Sequence, residues 1–516
     1  MNKFSGCLLI LLWSMRAACA QDAQFDIFEY RVEGATLLPA IMVEQAVYPH
    51  LGEGRTLADV EKAREALEQA YHAAGYLTVL VSIPPQKVDD KLVRLAVTEA
   101  PVERLRVVES RYFSLGEIKA GVPQLAEGTV PNFPQMQKEL AALNKSPDRR
   151  ITPVLRPGKT PGTVEVDLKV KDELPLHGNV ELNDRYSQDT TRTRLTANLR
   201  WDNLWQQQHG LGITVQTAPE EPDESRVFSA SYTWPLASGN YLAFYAVKSD
   251  SDVAAVGTLN VRGNGVIAGA RYILPLRSKW DGFFHTATLG ADYKNFDQSV
   301  ALIDGGSFDT PLSYLPFTLG WDGTWLSQGR ISKAGVSFNF QMRGLVADAQ
   351  EFADKRFKGR PDYAYLRGTF SHEETWPAGW GLNLKGSWQV ASQPLVSNEQ
   401  FAIGGVDTVR GYLESAALGE NGLALSLEAR TPNFAQHLGA GLDEIYALAF
   451  FDGGEVRVRE PITADARFTL AGTGLGLRLK GWRGVSAGLD WAVALNDLGS
   501  TEEGDSRAHF RLGYEW

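Results

Sequence analysis

Leu423-Ala424-Leu425-Ser426-Leu427-Glu428-Ala429-Arg430 carries an apolar side chain at every second position, with Ser426, Glu428 and Arg430 on the opposite parity. A period of two belongs to a strand whose two faces meet different surroundings. Leu475, Leu477 and Leu479 alternate in the same way with Gly474, Gly476, Arg478 and Lys480. So do Leu489, Trp491 and Val493 with Gly488, Asp490 and Ala492, and the final Phe510, Leu512, Tyr514 and Trp516 with His509, Arg511, Gly513 and Glu515. A soluble β-sandwich would alternate too. Here, however, Arg478, Lys480, Asp490 and Arg511 fall in mid-strand, which suits a water-filled lumen behind a lipid-facing exterior. Short turns with an aromatic or apolar residue before proline recur at Trp234-Pro235, Leu274-Pro275 and Trp376-Pro377. Longer polar loops, such as Glu220 to Ser225 and Asp297 to Phe308, lie between them. Short turns at one end, long loops at the other and Trp and Tyr at the interfaces predict an outer-membrane barrel. The 341 residues 176–516 hold sixteen antiparallel strands at roughly 21 residues per strand and connection.

Upstream of Pro175 the grammar differs. A strand around Phe28 to Glu33 turns at Gly34, and Leu57, Val60, Ala63, Ala66, Leu67, Ala70 and Tyr71 recur at helical spacing between the N-cap Thr56 and the stop Gly75. Strands at Val79 to Ile83 and Leu92 to Thr98 complete a β-α-α-β-β order. That order returns with a strand at Val102 to Val108, helices near Leu115 to Ala120 and Phe133 to Leu143, and strands near Thr152 to Leu155 and Thr163 to Val170. The result is a tandem repeat of small α+β modules.

The first twenty residues read as an export signal: Lys3, an apolar run from Cys7 to Trp13, and Ala18-Cys19-Ala20 before a cleavage site at Gln21. Both cysteines fall inside it, so the mature chain is expected to have no disulfide. Fifty-one Lys and Arg against 62 Asp and Glu give a net charge of -11, which argues against nucleic acid as a partner. After Ala20 no run of 18 apolar residues exists, so a membrane crossing would have to be made by strands.

Two motifs carry a resemblance. Glu399-Gln400-Phe401-Ala402-Ile403-Gly404-Gly405 leads to Val409-Arg410-Gly411-Tyr412 between the eleventh and twelfth strands, and Phe450, Asp452 and Gly454 alternate on the thirteenth. Glu428-Ala429-Arg430-Thr431-Pro432 and Leu155-Arg156-Pro157-Gly158 add weaker ties. With these the chain resembles the outer-membrane transporters of two-partner secretion, the TpsB proteins that include the haemolysin secretion/activation proteins, within the wider BamA-like group. The resemblance implies a leader over 1–20, POTRA modules over 21–100 and 101–175, and a sixteen-stranded transmembrane barrel over 176–516. It implies an outer-membrane location with the POTRA modules in the periplasm, where they capture an unfolded TpsA-type exoprotein by β-augmentation. Outer-membrane lipids and the barrel-assembly machinery are the further partners implied, the latter reading Phe510, Leu512, Tyr514 and Trp516 as a sorting signal. Many family members carry an N-terminal plug helix, for which the few residues after Gln21 leave no room, so occlusion is expected to rest on the inserted loop.

The motifs also have a reading in their own right. Gly411 permits a tight backbone, Arg410 presents a rigid donor fork, and Asp452 sits at lumen parity and needs a cation. Spacing alone favours a solvated Asp452 and an exposed Arg410, whose pairing would then be worth little. The resemblance instead implies that the two pair and tether the loop inside the barrel. Other matches lack context. Gly484-Val485-Ser486-Ala487-Gly488 fits G-x-S-x-G but begins a barrel strand. Gly263-Asn264-Gly265-Val266-Ile267-Ala268 has no βαβ setting, and Gly158-Lys159-Thr160 lacks the upstream glycine of a phosphate loop. The eight histidines are scattered, so no enzyme activity, cofactor or metal is expected. A barrel-assembly factor and a general porin are the rival readings.

Overall fold

The computed structural model describes residues 24–516 apart from 89, 252, 257–258, 298, 302–306, 440 and 463; the leader and its cleavage site lie outside the described residues. The chain forms two compact units that meet in sequence between Leu174 and Pro175.

In the N-terminal unit Glu29–Glu33 runs parallel to Leu92–Thr98, which pairs antiparallel with Leu80–Ser82. Helices Ala40–Val47 and Leu57–Ala73 cover the sheet. The second of these starts at a capping box, with the Thr56 side chain and the Asp59 carboxylate satisfying each other's first-turn N–H groups, and buries Val60, Ala63, Leu67 and Tyr71. A short antiparallel pair, Phe25–Ile27 with Gly52–Arg55, adds to the expected order; at three and four residues its members are too brief to show a period. The second module repeats the plan. Val102–Val108 lies parallel to Val164–Asp172, which pairs with Arg149–Pro157, under helices Leu115–Ala120 and Phe133–Leu143.

Gly75 joins the modules. Its φ of +97° closes the long helix, its carbonyl accepts from the Phe133 N–H at 2.9 Å, and a Cβ there would lie 2.8 Å from the Pro134 ring. Only glycine fits both demands.

The C-terminal unit is a closed antiparallel barrel of sixteen spans. In order they are Leu176–Asn183, Arg194–Leu204, His209–Thr217, Arg226–Pro235, Tyr241–Asp250, Gly265–Leu276, Phe283–Phe296, an eighth in two pieces (Leu312–Tyr314 and Pro316–Ser327), Arg330–Gln341, Ala364–Thr375, Gly381–Ala391, Asn421–Arg430, Leu442–Arg457, Arg467–Gly481, Val485–Ala494 and Ser506–Glu515. Both pieces of the eighth pair with the seventh. The last strand closes on the first from Arg511 opposite Asn183 to Glu515 opposite Asn179. Among the described residues no helix is long and apolar enough to cross a membrane.

Parity holds around the wall: Phe451 is 54% exposed on the outside while Phe450 and Asp452 on either side are 4% and 1% exposed. The turns 205–208, 236–240, 277–282, 328–329, 376–380 and 482–484 are short and lie at the barrel end from which the first strand starts; loops 342–363 and 392–420, at the other end, are long. Exposed Trp205, Trp280, Trp376, Trp380 and Trp482 lie in or at these turns, as expected for an interfacial belt. Two expected turns are corrected: Trp234-Pro235 ends the fourth strand and Leu274-Pro275 lies inside the sixth, one residue from its end, where a missing N–H is tolerated.

Glu99 fastens the first module. It accepts from the Thr36 N–H at 2.7 Å, the Leu37 N–H at 2.9 Å and the Tyr71 hydroxyl at 2.9 Å. Burial raises its pKa, but these donors outweigh burial and hold the carboxyl below its ordinary range. A depressed folded pKa adds stability that is present above the unfolded value of about 4.3 and is lost as pH falls through the folded one. Thermal unfolding of the N-terminal unit should therefore shift down between about pH 5 and pH 3, and Glu99→Gln should lower stability by about 1 kcal/mol at neutral pH and flatten that shift.

Candidate functional site

Loop 392–420 folds into the barrel, and its tip meets the wall made by strands twelve to fifteen. The register explains where. Ser426, Asp452, Gly472 and Ala494 form one inward row across the four strands, and Glu428, Phe450, Gly474 and Ala492 form the next. Into these rows comes Arg410, 3% exposed. Its Nε and Nη2 donate to the Asp452 carboxylate at 2.7 and 2.9 Å, and its backbone N–H donates to the same group at 3.1 Å. Nη1 lies 2.8 Å from Glu428 and 3.6 Å from Asp490, and Nη2 donates to Ser426 at 3.3 Å. The guanidinium lies 3.5 Å from the centre of the Phe450 ring. Arg478 in turn binds both oxygens of Asp490, at 2.7 and 2.8 Å. Two arginines and three carboxylates thus share one patch of the inner wall, with Arg410, Asp452 and Asp490 buried, and the two-pronged Arg410–Asp452 geometry is the strong form of such a pair.

The other tip residues are placed by shape. Val409 packs with Ile403, Phe401, Val456 and Leu470. Gly454 leaves room for it, since a Cβ there would lie 3.1 Å from both Val409 and Ile403. Gly411 has φ +99°, lies against the Ala494 backbone and donates its N–H to His509 Nε2 at 3.2 Å. His509 Nδ1 faces Asp184 at 3.1 Å, which ties the tip to the junction of the first and last strands. The Tyr412 hydroxyl donates to the Asn496 carbonyl at 2.8 Å and accepts from the Asn496 N–H at 3.1 Å. On the final strand Leu512, Tyr514 and Trp516 are exposed on the outer face, and the Trp516 ring crosses Gly178.

The structure brings Arg410 and Asp452 together, where spacing alone favoured a solvated pair. Sequence reasoning had not assigned Ser426, Asp184, His509 or the glycines of the fourteenth strand to the tip, and had noted Glu428 and Asp490 without joining them to Arg410. Inward parity was their available signal. Gly472 matters most, because a Cβ there would lie 2.1 Å from the Arg410 carbonyl.

Fold and site define an outer-membrane β-barrel that carries N-terminal POTRA modules and an inserted loop. Residues 25–100 match the model of the ShlB-type POTRA domain. Residues 162–266 and 316–479 match that of the haemolysin secretion/activation proteins ShlB/FhaC/HecB, and the chain belongs to this family. It is 20% identical over 450 residues to the heme/hemopexin transporter protein HuxB of Haemophilus influenzae, covering 83% of this chain and 76% of that one. It is 21% identical over 431 residues to the outer membrane transporter CdiB of Dickeya dadantii, covering 78% and 71%. Among solved structures, CdiB from Escherichia coli aligns over 97% of this chain and 92% of its own with TM-score 0.62 at 17% identity. BamA from Haemophilus ducreyi lacking POTRA domains 1-3 aligns over 95% and 100% with TM-score 0.59 at 14% identity. The chain is therefore an outer-membrane transporter of the two-partner secretion family, with its POTRA region in the periplasm and a secreted protein as its partner.

Tyr412→Phe removes a hydroxyl that satisfies both backbone groups of Asn496 and should destabilise the seated tip by about 1–3 kcal/mol. Gly472→Ala should displace the tip while leaving the barrel folded. Protease access to loop 392–420 in intact outer membranes would report both, rising in each variant.

Proposed function

We propose that this transporter captures one large unfolded TpsA-type exoprotein, of the haemagglutinin, haemolysin or adhesin kind, and conducts it through the barrel to the cell surface. Residues 21–100 and 101–175 act as the capturing modules and 176–516 as the conduit, after a leader over 1–20 has been removed. Folding of the client outside the cell supplies direction without nucleotide hydrolysis. The tip residues Val409, Arg410, Gly411 and Tyr412 close the lumen by docking on Phe450, Asp452 and Gly454, and export requires the loop to switch in an ordered way between this docked state and a released one, so that loss of the docked state impairs it. The observation that carries this reading is the buried Arg410–Asp452 pair, a charged lock between a loop and the lumen wall. Such a lock is held by partners that water and a polar client can also provide. Lipids of the outer membrane bathe the outer face, and the barrel-assembly machinery reads Phe510, Leu512, Tyr514 and Trp516 during biogenesis.

A second reading, an outer-membrane assembly factor of the BamA/TamA type, draws on the fold likeness to BamA. Mass spectrometry of surface and supernatant proteins from cells with and without the gene separates the two. Loss of one very large exported protein supports secretion, and broad loss of outer-membrane barrels supports assembly.

Removing one partner of a buried pair leaves the other uncompensated, at a cost of about 3–5 kcal/mol. Arg410→Ala and Asp452→Ala should each cut the exported protein in the supernatant severalfold, and the double variant should be no worse than either alone. Normal export by both single variants would remove the tether from the mechanism.

A further inference from the structure

The inserted loop carries another buried charge, far in sequence from the wall that holds it. Glu399, 2% exposed, ends a short turn, 397–399, at the base of loop 392–420. Its Oε1 accepts from Lys294 Nζ at 2.5 Å and from the Tyr314 hydroxyl at 2.6 Å; its Oε2 accepts from the Tyr365 hydroxyl at 2.7 Å. These donors belong to the seventh, eighth and tenth strands, a different arc of the wall from the one that receives Arg410. Gln389 on the eleventh strand then bonds both feet of the loop, donating to the Glu399 carbonyl at 3.0 Å and to the Glu420 carbonyl at 3.1 Å. The Glu420 carboxylate, fully buried, takes Gln400 Nε2 at 2.8 Å and the Arg459 N–H at 2.7 Å.

The Arg410 and Glu399 contacts of the loop differ in their surroundings. Arg410 borders a polar cavity lined also by Glu428, Arg478, Asp490 and His509, so water is at hand to take over its hydrogen bonds once the tip moves. Glu399 is packed in a cluster formed by Tyr314, Tyr363, Tyr365, Phe352, Leu395 and Val396. A carboxylate pulled from its cation in such a setting loses more than one pulled from its cation beside water, and three converging donors act together. We propose that Glu399 is a positioning residue that pins the base of the loop to the wall, so that the tip pivots about it when Arg410 lets go. The proposal rests on the reading of the loop as the movable closure and names the part of it that stays still.

Distances between pairs of spin labels test this in the full-length protein in detergent or liposomes. One label goes at Phe228→Cys on the outer face of the fourth strand, the other at Ser397→Cys in the foot or Asp407→Cys near the tip. Unaltered protein should give one narrow peak for each pair. Arg410→Ala should abolish the narrow peak for the tip and keep it for the foot, whereas Glu399→Gln should abolish it for the foot. The pair Tyr314→Phe with Tyr365→Phe, which removes two donors and keeps the ion pair, should broaden the foot peak, and it decides the matter if Glu399→Gln prevents assembly. Heat-modifiable migration on gels checks that each barrel is folded. If Arg410→Ala mobilises tip and foot alike, or if Glu399→Gln or the tyrosine pair leaves the foot narrow, the anchor is overturned and the export reading stands. If Arg410→Ala leaves the tip narrow, the movable closure and the pivot both fall.

Discussion

A guanidinium held inside a barrel by a loop cannot stay there unpaired, because burial removes the water that would otherwise solvate it. Arg410 answers that constraint with Asp452 as a two-pronged partner, Glu428 and Asp490 as further carboxylates, and the Phe450 ring beneath it. The dependence is mutual. Asp452, Glu428 and Asp490 are like charges crowded on neighbouring strands, and with Arg478 alone they would be short of positive charge. Loop insertion and the arrangement of strands twelve to fifteen are thus two halves of one electrostatic solution.

Space for that solution comes from glycine. Gly454, Gly472 and Gly474 lie at inward positions where a Cβ would strike the loop, the Arg410 carbonyl or the Phe450 ring. Gly476 does the same beside Asp490. The wall is flat where the loop lies on it. A cavity lined by Arg410, Glu428, Asp490 and Arg478 adjoins this seat, so the lock borders water on one side.

The loop meets the wall at separate places of different character. Its tip joins the charged contacts of Arg410 to the apolar packing of Val409 and Tyr412, and touches the junction of first and last strands through Gly411 and His509. Its Glu399 foot is buried among aromatic rings, and both feet are bonded to Gln389 through the Glu399 and Glu420 carbonyls. A segment built in this way is not uniformly loose. Its contacts change in kind along the chain, from the charged pair at Arg410 to the carboxylate among tyrosines at Glu399.

Much of this was legible in the residues. Alternation in Leu423 to Arg430, Leu475 to Lys480 and Phe510 to Trp516 determined strands, faces and lumen parity, since a period of two admits one assignment of inside and outside. The capped helix from Leu57 to Ala73 followed from local signals at Thr56 and Gly75. What only the tertiary structure decided is which residues meet across the lumen. Arg410 and Asp452 are 42 positions apart, and Glu399 and Lys294 are 105. Local periodicity carries no information at such separations, because the pairing arises from barrel closure and the path of an inserted loop. For the same reason the small strand Phe25–Ile27 and the seating role of Gly472 were not visible: one is too short to show a period, and the other is defined by a neighbour that arrives from elsewhere in the chain.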